Sequence, residues 1–239
     1  MCGRYTQGKA IPELVSRYAQ LGAQSIAAQQ VLHPAFNIAP SSFAAVLRME
    51  HGHPSIDAAR WGLVPSWTRS LDALKSKPFN ARSETADSGP MFRDAFQRGR
   101  CIVPATGFFE WQGAKSPKQP WYIHTKDQEI ASFAGLWSRW VDPGSGTAMD
   151  TFAILTTDAN DVVKPIHDRM PCILRPGEEA AWLDLESKIA FCKMLLRPYP
   201  ADLTLAHRVG PAVGKPGTDG EQLIAPVESA ADGEESWLF

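Results

Sequence analysis

Cys101-Ile102-Val103-Pro104, Gly107-Phe108-Phe109-Glu110-Trp111 and Pro120-Trp121-Tyr122-Ile123-His124-Thr125 are short apolar runs set apart by turn formers, and residues 130–140 and 151–157 continue the series. Runs of this length, rich in β-branched and aromatic residues, read as strands rather than helices. Five of them in succession predict a strand-rich core.

Upstream, residues 43–49 and 56–64 read as two more strands, the second ending at Val64-Pro65, and 203–209 reads as the last. Helical spacing is confined to the flanks. Leu14, Val15, Tyr18 and Leu21 share one side of an amphipathic helix over Ile11 to Leu21. Met91, Phe92, Ala95 and Phe96 mark another, ended by Gly99, and Ala180–Leu185 and Ile189–Leu196 two more. A further short helix is expected to begin near Asp158. Residues 66–80, rich in Ser, Lys and Pro, predict a long surface loop. Strands outnumber helices without alternating regularly, which argues against a doubly wound parallel sheet. The expectation is an α+β single domain: a mixed, largely antiparallel, barrel-like β core with peripheral helices. The domain spans residues 2–227, and 228–239 form an acidic tail.

Composition sets the outer limits. With 239 residues, 44% of them hydrophobic, the chain can bury a sizeable core, and neither disorder nor a disulfide scaffold fits. No apolar run approaches the roughly 20 residues of a membrane span. Met1-Cys2-Gly3-Arg4-Tyr5-Thr6 has no basic then apolar leader pattern, so a cytoplasmic protein with its four cysteines reduced is expected. Net charge is −2, but six acids and no Lys or Arg lie beyond residue 217, which leaves 24 − 20 = +4 on residues 1–217. A basic body with an acidic tail permits a polyanionic partner.

Cys2 is the most informative position. A small residue after Met1 favours removal of the methionine, which would expose an α-amine beside the thiol. These groups titrate near ~7.7–8.0 and ~8.5, so both are partly nucleophilic at neutral pH. Such a 1,2-aminothiol condenses with an aldehyde to an imine, and the sulfur then closes a thiazolidine ring. Cys101, Cys172 and Cys192 sit among apolar residues and read as core; without CxxC spacing a zinc site has little support, and neither metal nor cofactor is expected. Asn80 and Arg82, two apart on an extended segment, face the same way: the first could orient an amine or carbonyl, the second grip a phosphate. Glu110 stands alone in an aromatic strand, where burial would raise its pKa; a place on the solvent side is the equal alternative. His167 is suited to moving a proton near pH 7, although His167-Asp168-Arg169 also reads as surface charge. His33, His124 and His207 are assigned to structure.

Taken together and in order, Cys2-Gly3-Arg4, Asn37-Ile38-Ala39-Pro40, Trp61-Gly62-Leu63-Val64-Pro65-Ser66-Trp67, Asn80-Ala81-Arg82-Ser83-Glu84-Thr85, Gly107 to Trp111 and His167-Asp168-Arg169-Met170-Pro171 resemble the SOS-response-associated peptidase (SRAP) family, proteins that shield abasic sites in single-stranded DNA. The resemblance implies a single-domain fold around a curled, barrel-like β core and a covalent link between Cys2 and the ring-opened aldehyde of an abasic sugar; a monomer is the separate expectation. The resemblance also implies catalytic roles for Cys2, Asn80, Glu110 and His167, phosphate contacts for Arg4, Arg82 and Arg169, and places near the DNA groove for Trp67 and Trp111. Val209-Gly210-Pro211-Ala212-Val213-Gly214 departs from the family's Val-Ser…Val-Asn pattern, which puts the hydrogen bonds of those Ser and Asn side chains in doubt. Trp237-Leu238-Phe239 lies outside the match and could dock on the body, bind a partner or be disordered.

Three rival readings remain at this stage. A thiol (auto)peptidase would pair Cys2 with His167. An N-terminal-nucleophile amidotransferase also begins Met-Cys-Gly but leaves Asn80, Glu110 and His167 unexplained. A non-covalent nucleic-acid-binding module would make Cys2 irrelevant.

Overall fold

The computed structural model describes residues 2–24, 32–74 and 78–227. Thirteen strands follow the chain: β1 (Arg4–Gln7), β2 (Ala35–Ile38), β3 (Phe43–Glu50), β4 (His53–Trp61), β5 (Asn80–Arg82), β6 (Arg100–Ala105), β7 (Gly107–Gln112), β8 (Gln119–Thr125), β9 (Ala131–Val141), β10 (Ala148–Asp158), β11 (Arg169–Pro171), β12 (Ile173–Leu174) and β13 (Thr204–Arg208). Four short helices accompany them: α1 (Ile11–Arg17), α2 (Arg93–Arg98), α3 (Glu179–Leu183) and α4 (Ile189–Leu195).

Strand β10 closes a barrel. It pairs antiparallel with β9 and parallel with β4, and the circuit returns through β3 and β6 to β9, giving a closed five-stranded mixed barrel. Past Phe152, where β4 ends, β5 takes its place in parallel register, Asn80 opposite Ile154. A second sheet, ordered β13-β8-β7-β1-β2, packs beside the barrel.

Successive residues of a strand face opposite ways, so the barrel strands feed two cores. Ala45, Leu47, Ile102, Leu136 and Leu155 pack with helix residues Leu14, Phe96 and Trp182; Val46, Trp61, Val103, Phe133 and Phe152 pack with Tyr5 and Phe108 of the second sheet. Trp61 stands edge-on to Tyr5 at 5.1 Å and donates its indole N–H to the Phe79 carbonyl at 2.8 Å, which holds the entry to β5 against the core.

The five runs from 101 to 157 are strands as expected, and the family of flanking helices is in place. Four details differ. α1 stops at Arg17 and tightens into a 3-10 turn over Ala19–Leu21. β4 ends at Trp61 because Gly62, at φ 129°, breaks the extended line. The helix expected near Asp158 is reduced to a capped turn: the Asn160 carboxamide oxygen accepts from the Val162 and Val163 amides at 3.2 and 3.0 Å, as a helix cap does, and its carbonyl accepts from the Lys164 amide at 2.8 Å, but the chain leaves the turn at His167 to enter β11. The 66–80 loop is interrupted by a 3-10 turn over Leu71–Ala73 before it reaches β5, the extended segment expected for Asn80 and Arg82. The expectation for Trp237-Leu238-Phe239 lies outside the described residues. Among the described residues, no helix is long and apolar enough to cross a membrane.

Candidate active site

Cys2 lies just upstream of β1, whose register with β7 pairs Arg4 with Phe109 and Thr6 with Gly107. The incoming chain therefore runs level with Glu110. Cys2 and Tyr5 belong to the same core although three residues apart, so the chain departs from strand alternation around Gly3. The Cys2 side chain is fully buried, and its Sγ is 3.7 Å from the Arg4 carbonyl oxygen.

Three other elements converge on it. From β5, the Asn80 amide nitrogen donates to the Cys2 carbonyl at 2.8 Å, which fixes the orientation of the carboxamide. Its oxygen, Oδ1, is buried and has no hydrogen-bond partner among the described residues. From β7, Glu110 is 4% exposed on the Phe108 side of the strand, so of the two readings open in the sequence the buried one holds. From the turn between β10 and β11, His167 brings Nε2 to 4.0 Å from Glu110 Oε2. Its Nδ1 accepts from the Arg169 amide at 3.0 Å and lies 3.0 Å from Asp168 Oδ1, a setting that aims Nε2 at Glu110.

Electrostatics follow from burial. The Cys2 thiol is pushed far above its ordinary range, first by desolvation and then by the negative charge of Glu110. Burial also raises the Glu110 carboxyl, against the opposing pull of a His167 charge. A carboxylic acid that keeps its proton above the usual range can donate it.

The basic residues divide into two kinds. Arg82 is exposed on β5, two residues from Asn80 and on the same side of the strand. Arg169 is held by Glu84 in a two-point pair at 2.7 and 2.9 Å, by Asp158 at 2.7 Å and by the Thr156 carbonyl. Arg4 donates to Asn37 Oδ1 at 2.8 Å and to the Val213 carbonyl at 2.9 Å. Asn37 also donates to Val213, so the backbone of the segment that departs from the family pattern ties β1 to β2 without the missing Ser and Asn side chains. Trp67 is 53% exposed, beside Leu63, Pro65 and Trp137 on the rim of a cavity of about 200 Å³. Trp111 is half-buried on the face of β7 opposite Glu110, with Phe109, Val209 and Val213. Cys101, Cys172 and Cys192 are buried in the cores. His124 and His207 flank Tyr122 on that same opposite face.

The sequence singled out Asn80, Glu110 and His167; their convergence on Cys2 is set by the fold. It missed Asn37, Glu84 and Asp158 as the partners of its arginines. Asn37 and Glu84 sit inside quoted motifs, whereas the Val213 carbonyl has no side-chain signature at all.

The family model for SOS response associated peptidase (SRAP) matches residues 1–216. The chain belongs to the SRAP family. It is 33% identical over 226 residues to abasic site processing protein YoqW of Bacillus subtilis (strain 168), covering 94% of this chain and 99% of that one. It is 30% identical over 229 residues to abasic site processing protein YedK of Escherichia coli (strain K12), covering 95% and 100%. Its fold is similar to the crystal structure of a protein from Bacteroides thetaiotaomicron, with a TM-score of 0.84, 29% identity, and 95% and 100% of the two chains covered.

Proposed function

We propose that this SRAP protein processes abasic sites in single-stranded DNA by capturing them covalently through Cys2. The observation that carries the reading is the convergence of Asn80, Glu110 and His167 on Cys2, the buried residue that directly follows Met1. Removal of Met1 frees the Cys2 α-amine. Glu110, which burial keeps protonated above the usual range, donates to the ring oxygen of the closed abasic sugar as the bond from the anomeric carbon to that oxygen breaks and the anomeric hydroxyl gives its proton to solvent, leaving the aldehyde. The amine adds to the aldehyde carbon, water leaves, and an imine forms. The thiol then adds to the imine carbon while its proton passes to the nitrogen, closing the thiazolidine with the net loss of one water. His167, 4.0 Å from Glu110, exchanges protons with it as these steps proceed.

The raised thiol pKa supports nitrogen attacking first, with sulfur closing the ring second. It weighs against a thiol peptidase, which needs a thiolate nucleophile at the start. Around the lesion, Arg82 meets phosphate and Trp67 offers a face for stacking a base. Arg4, tied to Asn37 and Val213 through one terminal nitrogen, keeps its other donors for DNA; Arg169, whose terminal nitrogens are taken up by Glu84, Asp158 and Thr156 and whose Nε is buried, shapes the wall instead. Trp111 supports β7 from behind.

Intact mass tests the reading directly. Protein lacking Met1, incubated with an abasic single strand, is expected to gain the mass of the strand less one water, and Cys2→Ala is expected to abolish that denaturation-resistant species. An adduct formed at full yield by Cys2→Ala overturns the assignment.

A further inference from the structure

The face that carries Glu110 continues across the second sheet. Register places Glu110 opposite Trp121, and Trp121 opposite Arg208. Directly paired residues project to the same side, so Glu110, Trp121 and Arg208 form one row. The row is knit together: the Arg208 guanidinium lies over the Trp121 ring at 5.5 Å, and the Trp121 indole N–H donates to Gln112 Oε1 at 3.1 Å. Gln112 in turn donates to the Pro165 carbonyl at 3.0 Å, at the base of the turn that carries His167. Arg208 has no carboxylate partner among the described residues. The outer end of the row is thus a cation stacked on an indole, with no carboxylate against it among the described residues.

The same end is where the described chain stops. Val227 donates its amide to the Arg208 carbonyl at 3.0 Å, and Pro226 bridges Val209. Three strand spacings of about 4.8 Å put Val227 roughly 15 Å from Glu110. The ten residues from 228 to 237 can span about 33 Å when extended. That segment carries Glu228, Asp232, Glu234 and Glu235, no Lys or Arg, and then Trp237-Leu238-Phe239. The segment thus carries the two kinds of group that a single strand of nucleic acid offers a protein, anions and flat π faces.

We propose that residues 228–239 dock on the Arg208–Trp121 row, with the carboxylates of Glu234 and Glu235 toward Arg208 and Trp237 along the row toward Glu110, and that they thereby compete with single-stranded DNA for this face. The competition rests on the DNA-capture reading above; the docking does not.

The full chain labelled with 5-fluorotryptophan separates the two, with the Trp237 fluorine resonance assigned by Trp237→Phe. The expected result at low salt is a Trp237 signal displaced from the random-coil position. It returns there in the Glu234→Gln/Glu235→Gln double variant, which leaves the body untouched, and in Arg208→Glu. Undamaged oligothymidylate is expected to release Trp237 as it binds, and the double variant to bind the oligonucleotide several-fold more tightly. A random-coil Trp237 in the unaltered chain overturns the proposal. So does a displaced signal indifferent to both charge changes, or one that persists while the oligonucleotide is bound. A docked, Arg208-dependent Trp237 in a protein whose double variant binds no DNA upholds the docking and sinks the DNA reading instead.

Discussion

Replacing Asn80 with alanine should separate function from stability. The side chain makes one hydrogen bond, Nδ2 to the Cys2 carbonyl at 2.8 Å, while its buried Oδ1 has no partner among the described residues. Deleting the bond costs about 1 kcal/mol net, and an unsatisfied buried polar atom carries a penalty of roughly 1–3 kcal/mol. The variant strands the Cys2 carbonyl but removes the stranded Oδ1, so the two penalties offset. Stability should therefore change by no more than about 1 kcal/mol in either direction. The reaction has no such compensation. The bond holds the residue that, in the proposed mechanism, supplies both nucleophiles, and a misplacement of 1 Å at a reacting centre can lower rate about 100-fold. Adduct formation with abasic single strands should slow about 10- to 100-fold, followed on denaturing gels beside urea melts of the same preparations. An Asn80→Ala protein that forms adduct at the unaltered rate refutes the positioning argument. A stability loss of about 3 kcal/mol or more refutes the offset, and shows Oδ1 to be satisfied.

Glu110→Gln should raise the melting temperature at neutral pH. Burial lifts the folded-state carboxyl above its unfolded value, so its contribution to stability is present at low pH and lost as pH rises and the group ionises. The advantage of Gln should shrink as pH falls from the raised folded-state value toward about 4.3, the unfolded value, and be gone below it; an advantage that grows toward acid contradicts the shift. Arg48 is 2% exposed, pairs with Glu50 at 2.9 Å, Asp150 at 3.0 Å and Asp57 at 3.2 Å, and lies 4.1 Å from the Trp137 ring. Arg48→Ala should cost about 3–5 kcal/mol in urea melts, because three carboxylates lose their shared cation. Gly99→Ala should cost roughly 3 kcal/mol, since its new Cβ would stand 2.2 Å from the Trp137 carbonyl oxygen, a backbone atom that cannot swing aside. A Gly99→Ala melt equal to that of the unaltered chain would show that β9 yields there.

Local sequence determined the long elements and the residue types at the site. Strands such as β9 and β10 announce themselves because eleven residues suffice to display apolar runs and turn signals. Cys2, by its place after Met1, and Glu110, by its isolation among aromatics, were legible for the same reason: each departs from its neighbours. β5, β11 and β12, of three residues or fewer, carry no period, and the turn at Asn160 mimics a helix start because a carboxamide satisfies the same amides. Tertiary structure alone decided that the barrel closes, since β10 pairs β9 on one side and β4 then β5 on the other through contacts no local pattern encodes. It alone chose the buried side of β7 for Glu110, when alternation allowed either. It also set Asn80, Glu110 and His167, each on a different element, around Cys2. Distances among residues tens of positions apart depend on strand register, and register is fixed by packing of the whole sheet rather than by any segment within it.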